Sequence, residues 1–310
     1  MAPVMSFDLK DKYTDFCFGP MITPTWLKFT VFFLNSKGGI FTLNPLFLPK
    51  FEISFDYYEK MKEFYEESLK VEINYDIKKE FDFNLILLEE IKRSCVKKTH
   101  NKMKIEINNY LKNVNSSSSS SLKSIIIIDK VCEPSNEANY NQILALNFWP
   151  LTIVRTNDKG NVEFIILSEH IQPTITNNNY IEKLGFLIKS INLANYESLK
   201  VFENLELNLI YNPSQKYDLI IQYMHDLLHV DLSWIDNNLT LLQTNNLTMI
   251  QKFQSYVRFG IEFITKINYK SVIQNYKDKN KKLLNMFGYF GIIDDKNVNM
   301  KIFFLGKILF

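Results

Sequence analysis

Cysteine is scarce in this chain, with three among 310 residues, Cys17, Cys95 and Cys132. An odd number at wide spacing, with no CxxC pair, gives a zinc site or redox motif no starting point. The three read as reduced thiols of a cytosolic or nuclear compartment. Glycine is limited to nine residues, and Gly38, Gly39 and Gly160 lie in turn-like stretches outside any GxGxxG or Walker pattern, so nucleotide binding has no warrant. An excess of either charge is also missing: 36 Lys and Arg stand against 34 Asp and Glu. Acids are interspersed among the bases, and the chain carries no large field for nucleic acid or an acidic membrane. No stretch approaches the roughly 20 uncharged apolar residues that span a bilayer. The opening MAPVMSFDLKDKYTDF lacks the charged head and apolar run of a secretory signal. The Asn-Leu-Thr triplets at Asn238 and Asn246 are therefore expected to stay unglycosylated.

Apolar material is abundant. Hydrophobic residues make up 46% and aromatics 14% of the chain, including 25 Phe and 16 Tyr, so disorder is excluded and a large core is available. From Trp26 to Pro49 the sequence WLKFTVFFLNSKGGIFTLNPLFLP reads as strand, Asn35 to Gly39 turn, strand, a β-hairpin closed by proline. Residues 51–70 place Tyr57, Met61, Phe64 and Tyr65 at helical spacing, and a second helix is expected from about Phe81 to Lys98, with Leu85, Leu87, Leu88 and Ile91 on its buried side. Six serines between Asn113 and Ser121 read as a flexible loop over 113–121.

The β-branched run SIIIIDKV, Ser124 to Val131, predicts a strand buried on both faces. Residues 143–170 then repeat the first hairpin's layout, with Asn157-Asp158-Lys159-Gly160 as the turn. Strand-forming runs follow at Leu199 to Tyr211, Tyr217 to Trp234 and Leu239, while Met249 to Lys282 fits helix and strand equally. Phe287 to Leu305 gives a third hairpin around Asp294 to Asn297. Hairpins of similar length with uneven connectors favour antiparallel sheets over alternating βα units, and propeller blades satisfy that pattern. The period is irregular, and no Gly-His or Trp-Asp signature of the commonest propeller repeat is present.

Candidate chemistry is thin. His225-Asp226-Leu227-Leu228-His229 has metal-ligand spacing, but a zinc hydrolase needs those histidines on a helix with Glu at the second position; here Asp226 stands there, and the flanks read as strand. No GxSxG elbow marks a nucleophile. The acidic pairs Glu66-Glu67, Glu89-Glu90 and Asp294-Asp295 read as solvated faces rather than acid/base groups. Trp26, Trp149 and Trp234 could be partner hot spots, but their place at strand starts favours packing within blades, with the indole N–H hydrogen-bonded. No catalytic, metal or cofactor-binding residue is assigned, and partner-binding residues are not readable.

Specific residues resemble a family. Phe16-Cys17-Phe18-Gly19-Pro20, Trp26, Phe29 to Leu34 and Gly39-Ile40-Phe41-Thr42-Leu43-Asn44-Pro45 resemble a blade of the β-propeller nucleoporin of the cytoplasmic face of the nuclear pore, the vertebrate eighty-eight-kilodalton nucleoporin family with its plant and yeast relatives. Trp149-Pro150-Leu151 and Glu169-His170-Ile171-Gln172-Pro173 are similar to that family's strand and its following "EIQP" segment. His229 to Trp234 resembles its "VHxLDLPW" element, with Ser233 in place of proline, and Phe287 to Asp295 resembles a late strand.

The resemblance implies a mainly β fold, the second part of a propeller over residues 1–310, with a helical insertion at about 51–98 and no long C-terminal coiled coil. It also implies a non-enzymatic scaffold at the cytoplasmic side of the nuclear pore. Such a scaffold would dock other nucleoporins and support export of messenger RNA and protein, without a cofactor, direct nucleic-acid contact or membrane insertion. Blade loops and insertion helices such as residues 51–70 are the expected docking elements. A partial propeller would leave strand edges and a blade face open. A propeller fragment of a vesicle-coat or tethering subunit is the alternative scaffold, and equivalent blade positions for the tryptophans discriminate between the two. A zinc hydrolase using His225 and His229 is the alternative from another class.

Overall fold

Asparagine-led turns set the strands. In the β-hairpin at residues 31–43, the Asn35 Oδ1 accepts hydrogen bonds from the backbone N–H of Lys37 (3.1 Å) and Gly39 (2.7 Å). Gly38 takes the left-handed conformation, φ +87°, that a side chain would resist. The hairpin at residues 151–167 repeats the device: Asn157 Oδ1 accepts from Lys159 and Asn161 N–H, each at 3.1 Å, and Gly160 has φ +78°. Asn212 opens a third such turn by accepting from Ser214 N–H at 3.0 Å. The side chain thus caps backbone donors that a tight turn leaves without a ladder partner.

The computed structural model describes residues 13–21, 25–71, 74–119, 124–128, 138–167, 170–174, 181–193, 207–223, 226–233, 235, 264–267, 289–294 and 297–304. In chain order, β1 (Tyr13–Phe18), β2 (Val31–Asn35) and β3 (Ile40–Leu43) are followed by β4 (Lys50–Ser54), α1 (Phe55–Ser68) and α2 (Tyr75–Arg93). Next come β5 (Cys95–Lys98), β6 (Lys102–Glu106), α3 (Asn109–Ser119) and β7 (Ser124–Ile128). Then follow β8 (Tyr140–Leu146), β9 (Leu151–Asn157), β10 (Asn161–Leu167) and β11 (Ile181–Asn192). The remainder holds β12 (Leu207–Tyr211), β13 (Asp218–Tyr223), β14 (Asp226–Asp231), β15 (Ile264–Ile267), β16 (Tyr289–Asp294) and β17 (Asn297–Phe304). The architecture is mainly β, a partial propeller carrying an insertion.

Two compact units divide the chain. The first, residues 1–155 with 163–190, is built on one eight-stranded sheet in the order β1-β2-β3-β7-β11-β10-β9-β8, whose two antiparallel halves, each taken as a four-stranded blade, are joined by the parallel pair β7–β11. Their facing side chains, among them Phe32, Leu34, Ile40, Ile143, Leu151, Ile153 and Ile165, make one core. Polar contacts fix their register: Ile143 N–H donates to Asp15 Oδ2 at 3.0 Å and Tyr140 N–H to the Ser36 carbonyl at 2.9 Å. In the second unit, residues 156–162 with 191–310, β12 to β15 form a sheet in chain order by antiparallel pairing. There β16 also pairs antiparallel with β17, the third hairpin expected. Of the ambiguous stretch Met249 to Lys282, β15 is strand and the rest lies outside the described residues, as do Leu239, Asn238 and Asn246.

The insertion between the third and fourth strands of the first blade differs from the helical segment expected at 51–98. It is an α/β unit over residues 50–119, in which the sheet β4-β6-β5 backs onto three helices. Helix α1 starts later than expected because Ser54 caps it, accepting from Tyr57 N–H at 3.1 Å. Helix α2 starts and ends earlier: Asn74 caps its start by accepting from Asp76 N–H at 2.9 Å, and residues 95–98, expected as helix, are strand β5. The 113–121 loop also differs, because α3 continues into the serines as far as Ser119. Asn108 caps that helix, accepting from Leu111 N–H at 2.9 Å, and Leu111 is buried. Serine tolerates a helix whose first turns are already docked. The insertion core is aromatic, with Trp26, Phe29, Phe47, Tyr57, Tyr58 and Tyr65 around Met61, Leu87, Leu88 and Ile91.

Candidate interaction site

Between the two blades lies a buried polar network. Arg155, on β9, pairs with Glu163, on β10, through Nε and Oε2 at 2.7 Å, both side chains being almost wholly excluded from solvent. The Tyr140 hydroxyl donates to Glu163 at 3.2 Å, and the Arg155 guanidinium lies 4.3 Å from the Tyr140 ring centroid. Arg155 Nη1 also donates to the Gly38 carbonyl in the turn of the other blade. A Cβ at Gly38 would stand 2.7 Å from the Tyr140 ring and 2.9 Å from Nη1, so glycine is required there by space as well as by φ. Sequence reasoning missed this pair. Its signal was one charge in each of two otherwise uncharged strands flanking a single turn, LTIVRTN and NVEFIIL.

A second constellation ties the insertion to the blades through residues 170–174, within the segment that resembles the family's "EIQP" element. The His170 ring stacks 4.6 Å from Trp149 and 5.4 Å from Phe64 of α1. The Tyr65 hydroxyl donates to Gln172 Oε1 at 3.1 Å, Gln172 Nε2 donates to Glu80 Oε2 at 3.3 Å, and Asn84 Nδ2 donates to the Pro173 carbonyl at 3.1 Å. Desolvation of the ring and, secondarily, the charge of Lys183 hold the His170 pKa below its usual value. The residue nevertheless keeps an exposed side, so protons reach it from solvent.

Aromatic side chains line the first blade's other face. Tyr13 contacts Phe33 and Phe41 edge-on at 5.8 and 5.4 Å, and Phe16 reaches Phe33 and Phe18 at 6.3 and 6.0 Å. Phe16 and Phe18 are 56% and 63% exposed, which makes this an exposed aromatic patch on a β-sheet. Helix α1, an expected docking element, turns a charged side outward, where Lys60 pairs with Asp56 at 2.9 Å and Lys62 with Glu66 and Glu89 at 3.5 and 3.4 Å.

The sequence-selected residues are dispersed. His229 lies on β14 with Nε2 2.7 Å from Asp218 Oδ1, while His225 is outside the described residues. Residues 226–231 are a strand rather than the helix on which a zinc hydrolase carries its histidine pair. Among the described residues, no group of three His, Cys, Asp or Glu could hold a metal. Glu90 pairs with Arg93 at 2.6 Å and accepts from Asn108 at 2.9 Å, and Asp294 ends β16, with Asp295 outside the described residues.

Trp26 is wholly buried but packs into the insertion core, 5.7 Å from Phe29 and 6.3 Å from Phe47. Contrary to expectation its indole N–H makes no hydrogen bond of standard geometry, although it faces the Tyr65 hydroxyl. Trp26 and Trp149 occupy equivalent places, each in the connection between the first and second strands of its blade. Trp234 and Cys132 are outside the described residues. No helix among the described residues is long and apolar enough to cross a membrane.

Stacked four-stranded units with a shared core define a propeller-type β fold. Among solved structures, the chain is similar to one in the yeast heterotrimeric Nup82-Nup159-Nup116 nucleoporin complex, with a TM-score of 0.57 and 15% identity over 86% of this chain and 57% of that one. It is also similar to one in the Chaetomium thermophilum heterotrimeric Nup82 NTD-Nup159 TAIL-Nup145N APD complex, with a TM-score of 0.61 and 10% identity over 82% of this chain and 52% of that one. At these identities the likeness is one of fold, and this chain spans little more than half the length of the solved chains it matches. No protein-family model matches the sequence, and no curated protein does either.

Proposed function

We propose that this chain is a structural nucleoporin related to the eighty-eight-kilodalton family, a non-enzymatic scaffold of the cytoplasmic face of the nuclear pore complex. It docks other nucleoporins and supports export of messenger RNA and protein, without inserting into the membrane or contacting nucleic acid itself. One observation carries the reading: the His170-Ile171-Gln172-Pro173 segment, selected by resemblance, clamps the α/β insertion onto the second blade of a fold shared with nucleoporin complexes. A rigid pair of blades with an appended, firmly held insertion suits a platform whose work is to present surfaces. The exposed aromatic face around Phe16 and Phe18 supplies apolar area that a scaffold buries on assembly.

The test is location and company. A fluorescently tagged chain expressed in its own cells should mark the nuclear rim and co-purify with other nucleoporins. A punctate cytoplasmic distribution with coat or tethering subunits would replace this reading with the vesicle-scaffold one. Stoichiometric zinc in the purified protein, lost in His225→Ala, would replace it with a hydrolase.

A further inference from the structure

The balanced composition conceals a local concentration of charge. Between Ile91 and Ile105 the sequence IKRSCVKKTHNKMKI holds six Lys and Arg residues and no acid. Folding gathers four of these, and lysines from elsewhere, around the outer face of the sheet β4-β6-β5. Strand β6 alternates Lys102, Lys104 and Glu106 outward with Met103 and Ile105 buried. Its partners place Lys50 opposite Glu106 and Glu52 opposite Lys104 on one side, and Lys97 opposite Lys104 on the other. Lys28 lies at the β4 edge of the same sheet, donating from Nζ to the Glu52 carbonyl at 2.9 Å. Lys50, Lys97, Lys102 and Lys104 therefore share this face with Glu52 and Glu106, with Lys28 at its edge. Lys98, the fourth of the run, leans over the Phe55 ring at 3.7 Å.

The pairing within this face is incomplete. Glu106 meets Lys50 at 2.7 Å, whereas Glu52 is shared between Lys102 at 3.4 Å and Lys104 at 3.3 Å. Lys97 forms no ion pair among the described residues, yet stands directly across the ladder from Lys104. Like charges at directly opposed positions destabilise a sheet. Lysine at a strand edge is an ordinary guard against edge-to-edge pairing, and β5, with its bulge between Cys95 and Lys97, fits that use. That explanation does not extend to Lys102 and Lys104, because β6 is the central strand with both edges already paired.

We propose that the outer face of β4-β6-β5 is a docking surface for an acidic, extended polypeptide segment of a partner protein, whose carboxylates settle between Lys97, Lys102 and Lys104. Lys102 and Lys104 are two residues apart on one strand, roughly 7 Å, which is also the separation of side chains on alternate positions of an extended peptide. Charge complementarity selects the occupant, since a carboxylate placed between Lys97 and Lys104 relieves their repulsion. A nucleic acid fits less well. Its charge is continuous along the backbone and would press phosphates against Glu52 and Glu106, and none of the outward positions on these three strands is an aromatic on which a base could stack.

The surface stands apart from the aromatic blade face, and its test is independent of where the protein resides in the cell. The probe is a fluorescein-labelled peptide alternating glutamate with serine or valine, titrated against the full chain at low salt, about 0.05 M. A lysine-for-glutamate peptide and an oligothymidine serve as competitors. The expected result is saturable binding of the acidic peptide that weakens about tenfold or more in K97E/K104E and severalfold on raising salt to about 0.3 M. The same charge change placed on and just after α1, K60E/K70E, should leave binding within about twofold. Lys97→Glu alone should weaken the peptide while slightly raising the melting temperature of the free chain, because it turns the Lys97–Lys104 repulsion into a pair. Absence of peptide binding at low salt, equal losses in the two double variants, or tighter binding of the oligothymidine each overturns the proposal. Circular dichroism of every variant separates loss of the surface from loss of the fold.

Discussion

The two cores of the first unit solve one problem by opposite means. Between the blades, aliphatic side chains surround a buried ion pair, a tyrosine and a turn carbonyl. In the insertion, rings and aliphatic side chains fill the space by shape, and polar contacts are single hydrogen bonds, as where Tyr57 donates to the Thr25 carbonyl. Burial pushes the Tyr57 pKa up to about 12. Aliphatic packing forbids a one-residue slip, which turns the apolar side chains outward, but discriminates less against a two-residue slip, which keeps apolar side chains facing the core. A hydrogen-bonded charge is not permissive, so the network specifies how the blades meet even where it adds little to stability.

Breaking that network should give the largest effect. Arg155→Ala leaves Glu163 buried without its cation and should destabilise the chain by about 3–5 kcal/mol in chemical denaturation. The apolar pair Arg155→Met with Glu163→Leu should recover most of that loss. If the double variant is no more stable than Arg155→Ala alone, the network is a net source of stability and the contrast with the insertion core fails.

In the insertion, Leu88→Ala should cost about 2–5 kcal/mol and Leu88→Met under about 1.5, the ordinary behaviour of a site governed by volume. Gly38→Ala sharpens the comparison from the turn side, with an expected loss of about 1–3 kcal/mol from backbone strain and the collision with Tyr140 and Arg155. Gly39→Ala, at a position whose φ is not left-handed, should cost less.

The smallest effect concerns the clamp. The folded His170 has a pKa below its ordinary 6.5, so protonation favours the released state. Its contribution is complete above about pH 6.5 and declines as pH falls from there through the lower folded value. The protection of α1 amides, taken relative to their intrinsic exchange rates, should therefore fall modestly between about pH 6.5 and 5. His170→Phe, which keeps the stack on Trp149 and Phe64, should remove that dependence.

The hairpins were legible because asparagine and glycine mark turns by local chemistry, and three asparagine-led turns lie where strand runs meet. Helices α1 and α2 were legible from apolar spacing, although their ends were not, since Ser54 and Asn74 decide the starts. Strands β5 and β6 escaped notice. Their two-residue alternation rests on Met103 and Ile105 between lysines, and the run is short and polar. The serine run misled for a different reason. The Asn108 cap, the burial of Leu111 and the packing of Val114 against the insertion core start a helix before the serines begin at Ser116, and weak propensity does not stop it at once.

The pairing of Arg155 with Glu163 shows the limit most clearly. Each charge alone looks like an interruption of a strand, and only the hairpin register makes them a pair. The clamp at residues 170–174 was visible as a resemblance but not as a set of contacts, because its partners Phe64, Tyr65, Glu80 and Asn84 lie about a hundred residues earlier in the chain.

Trp26 and Phe29 belong to the connection between two blade strands, yet their side chains are the floor of the insertion. Without the insertion both rings would stand exposed to water. Deleting residues 50–119 should therefore leave a poorly soluble chain unless both rings are replaced by small or polar residues at the same time.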